Sequence, residues 1–270
     1  MTVPYKGVPI FNPDGTFRKE DDVVQGRSFS SNLTKMLKHM DKLDAIQQGK
    51  PPSPVMAHIS LTNACNLTCS FCCFANRDIS EKMPTEKVLK ALDSFRAIGV
   101  TGVEFTGGGE PSIHPDFKKI VRYAKDLGFS LGICTNGARF GKDRPIKKDI
   151  VELFDWVRLG MYGFYEGYDY DLSVVEGTNC KPSAAYVWDE NLETSKNPNI
   201  TGDWTDVKNK RILSKKFQTT ENFIRMLDWV EENKIPCRIA FNAIKDVKET
   251  EKDIETIRGI IEVYEEDRGH

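Results

Sequence analysis

From residue 55 onward, short apolar runs alternate with amphipathic stretches. The runs "VMAHISLT" (55–62), "GVEFTG" (102–107), "SLGICT" (130–135), "WVRLGMYG" (156–163) and "PCRIAFNAI" (236–244) have the length and composition of buried strands. Helical spacing fills the gaps over 85–99, 114–128, 146–154, 219–234 and 249–266. In "TEKVLKALDSFRAIG", for example, Val88, Leu89, Leu92, Phe95 and Ile98 share one face and a glycine closes the helix. Strands alternating with helices predict βαβ units, a parallel sheet and right-handed crossovers. Five strands are readable. That number suits an α/β fold of the partial, open (β/α) barrel kind, lacking a last strand, better than a closed barrel of eight.

Two segments depart from this rhythm. Residues 1–22 are rich in Pro, Gly, Asn and Asp and read as an irregular arm. Over 31–48, Leu33, Met36, Leu37, Met40, Leu43 and Ile46 recur at helical spacing, and Gly49 and "KPPSP" end the pattern. This divides the chain into an arm and helix over 1–54 and an α/β core over 55–270, with the helix expected to pack on the core. Residues 164–216 have no clear period, yet carry Phe164, Tyr165, Tyr168, Tyr170, Tyr186, Trp188 and Trp204. They read as an insertion after the fourth strand's C-terminal end, where such sheets bind ligands. A substrate-facing lid, a structural flap and partial disorder are the three readings of it.

Composition narrows the class. The 270 residues are 39% hydrophobic and 29% charged, enough for one sizeable core. A net charge of -2 supplies no global positive field for nucleic acid. Mean hydropathy is -0.45, and no apolar run approaches the ~18 residues of a membrane span. The N-terminal "MTVPYKGVPIFNPDG" lacks the pattern of a signal peptide. The expected location is therefore cytoplasmic, where clustered cysteines point to metal or redox chemistry before disulfides.

Such a cluster exists. "CNLTCSFCC", Cys65 to Cys73, holds four of the chain's seven cysteines. Cys65, Cys69 and Cys72 are spaced C-x3-C-x2-C in a loop after the first strand. Three thiolates so close can wrap one face of a [4Fe–4S] cluster, which usually takes four. Phe71 between them can shield it and offer a face to an adenine ring. A zinc site would need a second Cys/His pair, and Cys134, Cys180, Cys237 and His114 are scattered singly. A ferredoxin-like carrier would need a fourth thiolate, for which the nearest cysteine, Cys73, directly follows Cys72 and diverges from it. Polar flanks (Asn63, Asn66, Thr68, Ser70) argue against a merely buried apolar loop.

The stretch "CNLTCSFC" resembles the C-x3-C-x-aromatic-C motif of the radical S-adenosylmethionine (SAM) superfamily, and the resemblance extends over residues 55–247. It implies a partial (β/α)6 barrel and a [4Fe–4S] cluster held by Cys65, Cys69 and Cys72, with one iron open to SAM. "FTGGGEP" (105–111) resembles the family's GGE element, so Gly108, Gly109 and Glu110 are expected at the amino group of SAM. Thr135 and Asn136 of "CTNG" are expected at its ribose or methionine end. Arg158 is a candidate for the SAM carboxylate or for a structural salt bridge, and Asn242 for the adenosine or for a role within its own strand. Gly160 stands where many relatives place a ribose-binding Ser.

The implied activity is reductive cleavage of SAM to a 5′-deoxyadenosyl radical that takes hydrogen from a peptide or small-molecule substrate. The implied electron donor is of flavodoxin or ferredoxin type. Cys134, at a strand end, is a candidate hydrogen donor. His114, followed by Pro115 and Asp116, reads as part of a helix start. No later cysteine cluster suggests auxiliary iron–sulfur centres. The rival readings are a non-enzymatic iron–sulfur electron carrier and a zinc-stabilised binding module.

Overall fold

The computed structural model describes residues 39–67, 69, 72–74, 76–140, 146–161, 170–188, 220–241 and 247–268. The chain divides into two compact units, Met1–Ser53 and Pro54–His270. In the first unit, helix α1 (Met40–Gln47) has no buried residue and is followed by Gly49 at φ +70°. The earlier half of the expected 31–48 helix lies outside the described residues.

The second unit is built on a six-stranded, all-parallel sheet in sequence order, β1 (Met56–Ile59), β2 (Gly102–Phe105), β3 (Ser130–Thr135), β4 (Trp156–Gly160), β5 (Lys181–Trp188) and β6 (Cys237–Phe241). Helices α2 (Thr85–Ala97), α3 (Phe117–Asp126), α4 (Lys148–Val151), α5 (Thr220–Glu232) and α6 (Val247–Arg268) connect or follow the strands. Among the described residues β1 and β6 are the two edges, so the sheet is an open, partial barrel.

One strand corrects the sequence reading. Five strands were expected, with the last of the family's six missing and 164–216 as an unpatterned insertion. That segment contains β5, which pairs with β4 and β6 in parallel register, from Trp156 opposite Lys181 to Trp188 opposite Phe241. The strand was hidden by composition. "KPSAAYVW" opens with Pro and Ser, and its buried face is Ala184, Tyr186 and Trp188, not β-branched residues. Tyr186 and Trp188 pack on Phe223 of α5, with ring centroids 5.5 Å apart in each pair.

The strands alternate, and the two faces differ in kind. Ile59, Val103, Phe105, Leu131, Ile133, Val157 and Leu159 join the core with Val88, Leu92, Ile120 and Val121 of the helices. Phe105, Phe117 and Phe154 form an aromatic knot there, with centroids 6.2–6.3 Å apart. At roughly 1.5–3 kcal/mol per large apolar side chain, this layer is the main stabiliser of the sheet. The other face carries His58, Glu104, Cys134 and Arg158. Trp156 lies there across Gly132, where a Cβ would stand 2.1 Å from the indole.

Candidate functional site

The cysteine loop leaves the C-terminal end of β1 and is closed at its base by a short antiparallel pairing. Thr62 bridges Lys82, Asn63 N donates to Glu81 O (2.9 Å), and Met83 N donates to Leu61 O (2.9 Å). His114 braces that base from outside. Its Nε2 donates to Met83 O at 3.0 Å, and its Nδ1 accepts from Asp116 N at 3.2 Å. Both ring nitrogens are thus used structurally, as the helix-start reading expects.

Within the loop, Cys72 N donates to Cys69 O (3.1 Å), which turns the second and third cysteines back on each other. Protein donors reach two of the sulfurs. Cys65 Sγ accepts from Leu67 N (3.4 Å) and Asn136 Nδ2 (3.7 Å), and Cys72 Sγ accepts from Arg77 Nη1 (3.4 Å). Burial pushes the Cys65 thiol up, partly offset by the Leu67 N–H. Burial pushes Cys69 well above the usual thiol range, and the neighbouring Cys65 and Cys72 push it further. Three thiols this close would repel one another as thiolates, and a cationic centre such as an iron–sulfur cluster would offset that repulsion, so the residues present fit such a group. Among the described residues, no three His, Cys, Asp or Glu side chains are gathered to hold a single metal ion. Cys73 is exposed. Phe71 lies outside the described residues, as does Asn242.

The glycine-rich turn after β2 is pressed onto this loop. Gly107 and Gly108 have φ of +79° and +58°, a region that favours glycine. Gly109 N donates to Thr62 O (2.6 Å) and Glu110 N to Ala64 O (2.9 Å). A Cβ on Gly109 would stand 1.7 Å from Ala64 O, and one on Gly108 would stand 2.3 Å from Ser60 Oγ. The glycines therefore permit close approach to the chain's own cysteine loop, and two of the turn's N–H groups are spent there.

Glu110 extends the connection to the end of β3. It is 3% exposed. Oε1 accepts from Ser112 N (3.1 Å), Ser112 Oγ (2.6 Å) and Thr135 Oγ1 (2.8 Å), and Oε2 accepts from Asn136 N (2.7 Å). Three donors crowd Oε1, while Oε2 takes one and keeps a lone pair. Asn136 then returns to the cysteine loop through Asn66 Oδ1 (2.6 Å) and Cys65 Sγ. Gly108, Gly109, Glu110, Thr135 and Asn136 are thereby brought together beside Cys65.

Arg158 stands apart from these residues, on the non-core face of the sheet. Its Nη2 donates to Cys134 Sγ (2.8 Å) and lies 4.0 Å from Glu104 Oε1. Cys134 donates to Glu104 Oε1 (3.0 Å), and His58 Nδ1 is 3.4 Å from Glu104 Oε2. Burial and the Glu104 hydrogen bond push Cys134 up to about 12, so it remains a thiol at neutral pH. Sequence reasoning missed Glu104, His58 and Arg77. The available signal for the first two was a polar residue at every second position of an apolar strand. Arg77 carried none.

An open parallel barrel with a three-thiol loop at the C-terminal end of its first strand defines a class of cofactor-binding α/β protein. Residues 59–167 match the family model described as the Radical SAM superfamily, and over this domain the chain is similar to that superfamily. The S-adenosylmethionine-dependent nucleotide dehydratase of Selenomonas ruminantium is 32% identical over 98 residues, covering 36% of this chain and 35% of that protein. SuiB of Streptococcus suis bound to S-adenosylmethionine shares the fold, with a TM-score of 0.52, 19% identity, and coverage of 89% of this chain and 55% of SuiB. SuiB bound to its precursor peptide SuiA gives 0.51 and 18%, covering 80% of this chain and 46% of SuiB. The chain thus spans about a third of the curated relative's length.

Proposed function

We propose that this chain is a radical SAM enzyme, in which Cys65, Cys69 and Cys72 hold a [4Fe–4S] cluster and the remaining iron takes the amino and carboxylate groups of SAM. The observation that carries this reading is the convergence of three strand ends. The Gly108–Gly109 turn is hydrogen-bonded onto the cysteine loop, and Glu110 ties that turn to Thr135 and Asn136. When bound, the cluster supplies an electron to the sulfonium of SAM and so yields a 5′-deoxyadenosyl radical that abstracts hydrogen from substrate.

The chain's own residues hold and orient. Gly108, Gly109 and Glu110 line the amino end of SAM, with the Glu110 carboxylate acting through the loops it fixes. Thr135 and Asn136 face its ribose or methionine end. Phe71 shields the cluster, and Asn242 is assigned to the adenosine. Arg158 serves either the SAM carboxylate or the Glu104–Cys134 pair, and the short contact to Cys134 favours the second. Cys134, a thiol on the non-core face, is a hydrogen donor available to substrate. One relative is named for a nucleotide and one neighbour is bound to a peptide, so the substrate class is a small molecule or a peptide. The electron donor is a flavodoxin- or ferredoxin-type protein, and the setting is the cytoplasm. No described helix is long and apolar enough to cross a membrane.

Metal analysis with EPR tests this assignment. After anaerobic reconstitution, about four irons and four sulfides per chain are expected, with a reduced-state EPR signal that changes when SAM is added. Stoichiometric zinc without acid-labile sulfide, or a cluster signal indifferent to SAM, would contradict it.

A further inference from the structure

Arg77 is the one cation bonded to a cysteine sulfur of the loop among the described residues, and the chain holds it there on both sides. Its Nε donates to Asn63 O at 2.6 Å, just before Cys65, and its Nη1 donates to Phe74 O at 2.6 Å, just after Cys72 and Cys73. The same Nη1 lies 3.4 Å from Cys72 Sγ. One planar group therefore fastens the two ends of the cysteine loop together and presents a charged N–H to its third thiol. Only a rigid fork with several donors can do this at once. A lysine, with a single ammonium, keeps the charge but cannot span the same acceptors.

We infer that Arg77 is a positioning residue for the cluster, closing the loop that carries the three thiols and, through its N–H to Cys72 Sγ, making the cluster easier to reduce. The inference rests on the proposed role of Cys72 as a ligand. The physical reason is electrostatic. Reduction adds negative charge that the iron–sulfur centre shares with its thiolates, and a guanidinium bonded to one of those sulfurs stabilises the more negative state. A cluster that must deliver an electron to a sulfonium is difficult to reduce, and this contact brings it within reach of a protein donor.

The test uses the full chain reconstituted anaerobically, as wild type, Arg77→Lys, Arg77→Ala and Cys72→Ser. Iron and sulfide content and the midpoint potential of the cluster are measured, the latter by EPR-monitored titration. Arg77→Ala is expected to lower the potential by about 59 mV, which corresponds to a tenfold change in a one-electron equilibrium. Arg77→Lys, in which charge survives and the fork does not, is expected to fall between. If Arg77→Ala loses the loop and takes up no cluster, Arg77→Lys carries the measurement. Clusters at the wild-type potential in the variants that hold them overturn the inference and leave the proposed function standing. Cluster retention in Cys72→Ser, or no cluster in the wild type, overturns the ligand assignment and the Arg77 inference with it.

Discussion

Cys72 and Cys73 are neighbours with opposite surroundings. Cys72 is half-buried and receives the Arg77 guanidinium, while Cys73 is exposed. Cys72→Ser should therefore abolish cluster binding and Cys73→Ser should preserve it, as read by iron content and visible absorbance. A Cys73→Ser chain without iron would mean that the ligands were counted wrongly. Gly109 makes a second residue-level test. Its missing Cβ would collide with the Ala64 carbonyl, a backbone atom that no rotamer change can move aside. Gly109→Ala should cost ~1–3 kcal/mol or more and reduce cluster content along with the unfolding midpoint. Gly102→Ala is the control, since its new Cβ meets Ser130 O at an ordinary 3.7 Å. At this scale the sequence was informative wherever the signal was local. Three cysteines and a glycine turn are motifs within a few residues. Arg77 and the donors gathered on Glu110 depend on how separate loops meet, and no spacing encodes that.

Among the elements, β5 is the one that periodicity concealed, and it is also the most instructive to perturb. The other five strands are apolar runs between helices of regular pattern, so their existence was legible and their ends were off by only a few residues. β5 is flanked by irregular chain and builds its buried face from Ala, Tyr and Trp. Tyr186 is 1% exposed, yet among the described residues its hydroxyl has no hydrogen-bond partner, and the same holds for Trp188 Nε1. An unsatisfied buried hydroxyl costs ~1–3 kcal/mol. Tyr186→Phe should thus leave stability unchanged or raise it within that range in a chemical denaturation. A loss of more than about 1 kcal/mol would imply a partner for the hydroxyl, on the scale of a typical hydrogen bond. Glu110 gives the contrasting case, because its carboxylate joins the turn after β2 to the end of β3. Glu110→Ala strands donors from Ser112, Thr135 and Asn136, and should lower stability by at least ~1–3 kcal/mol while loosening the Asn136 contact to Cys65.

For the whole molecule, the order of strands places the cysteine loop, the glycine turn, Glu110, Thr135 and Asn136 at one end of an open sheet, and the helices on one face supply the stability. The sheet's other face carries Glu104 with His58, Cys134 and Arg158 around it, a polar surface where a core-building strand would place apolar residues. Such a surface would suit a substrate bound beneath the proposed cofactor site at the strand ends. The class of fold, the cysteine loop and the glycine turn were all readable from the chain. The substrate was not, because it is selected by surfaces assembled from distant strands and from segments without period.

The central claim is that this assembly cleaves SAM reductively. It is tested most directly by incubating the anaerobically reconstituted chain with dithionite and SAM and quantifying 5′-deoxyadenosine, with Cys72→Ser alongside. The account predicts slow formation of 5′-deoxyadenosine by the wild type even without substrate, and none by the variant. An intact, reducible cluster that yields no 5′-deoxyadenosine, or equal yields from both proteins, would contradict it.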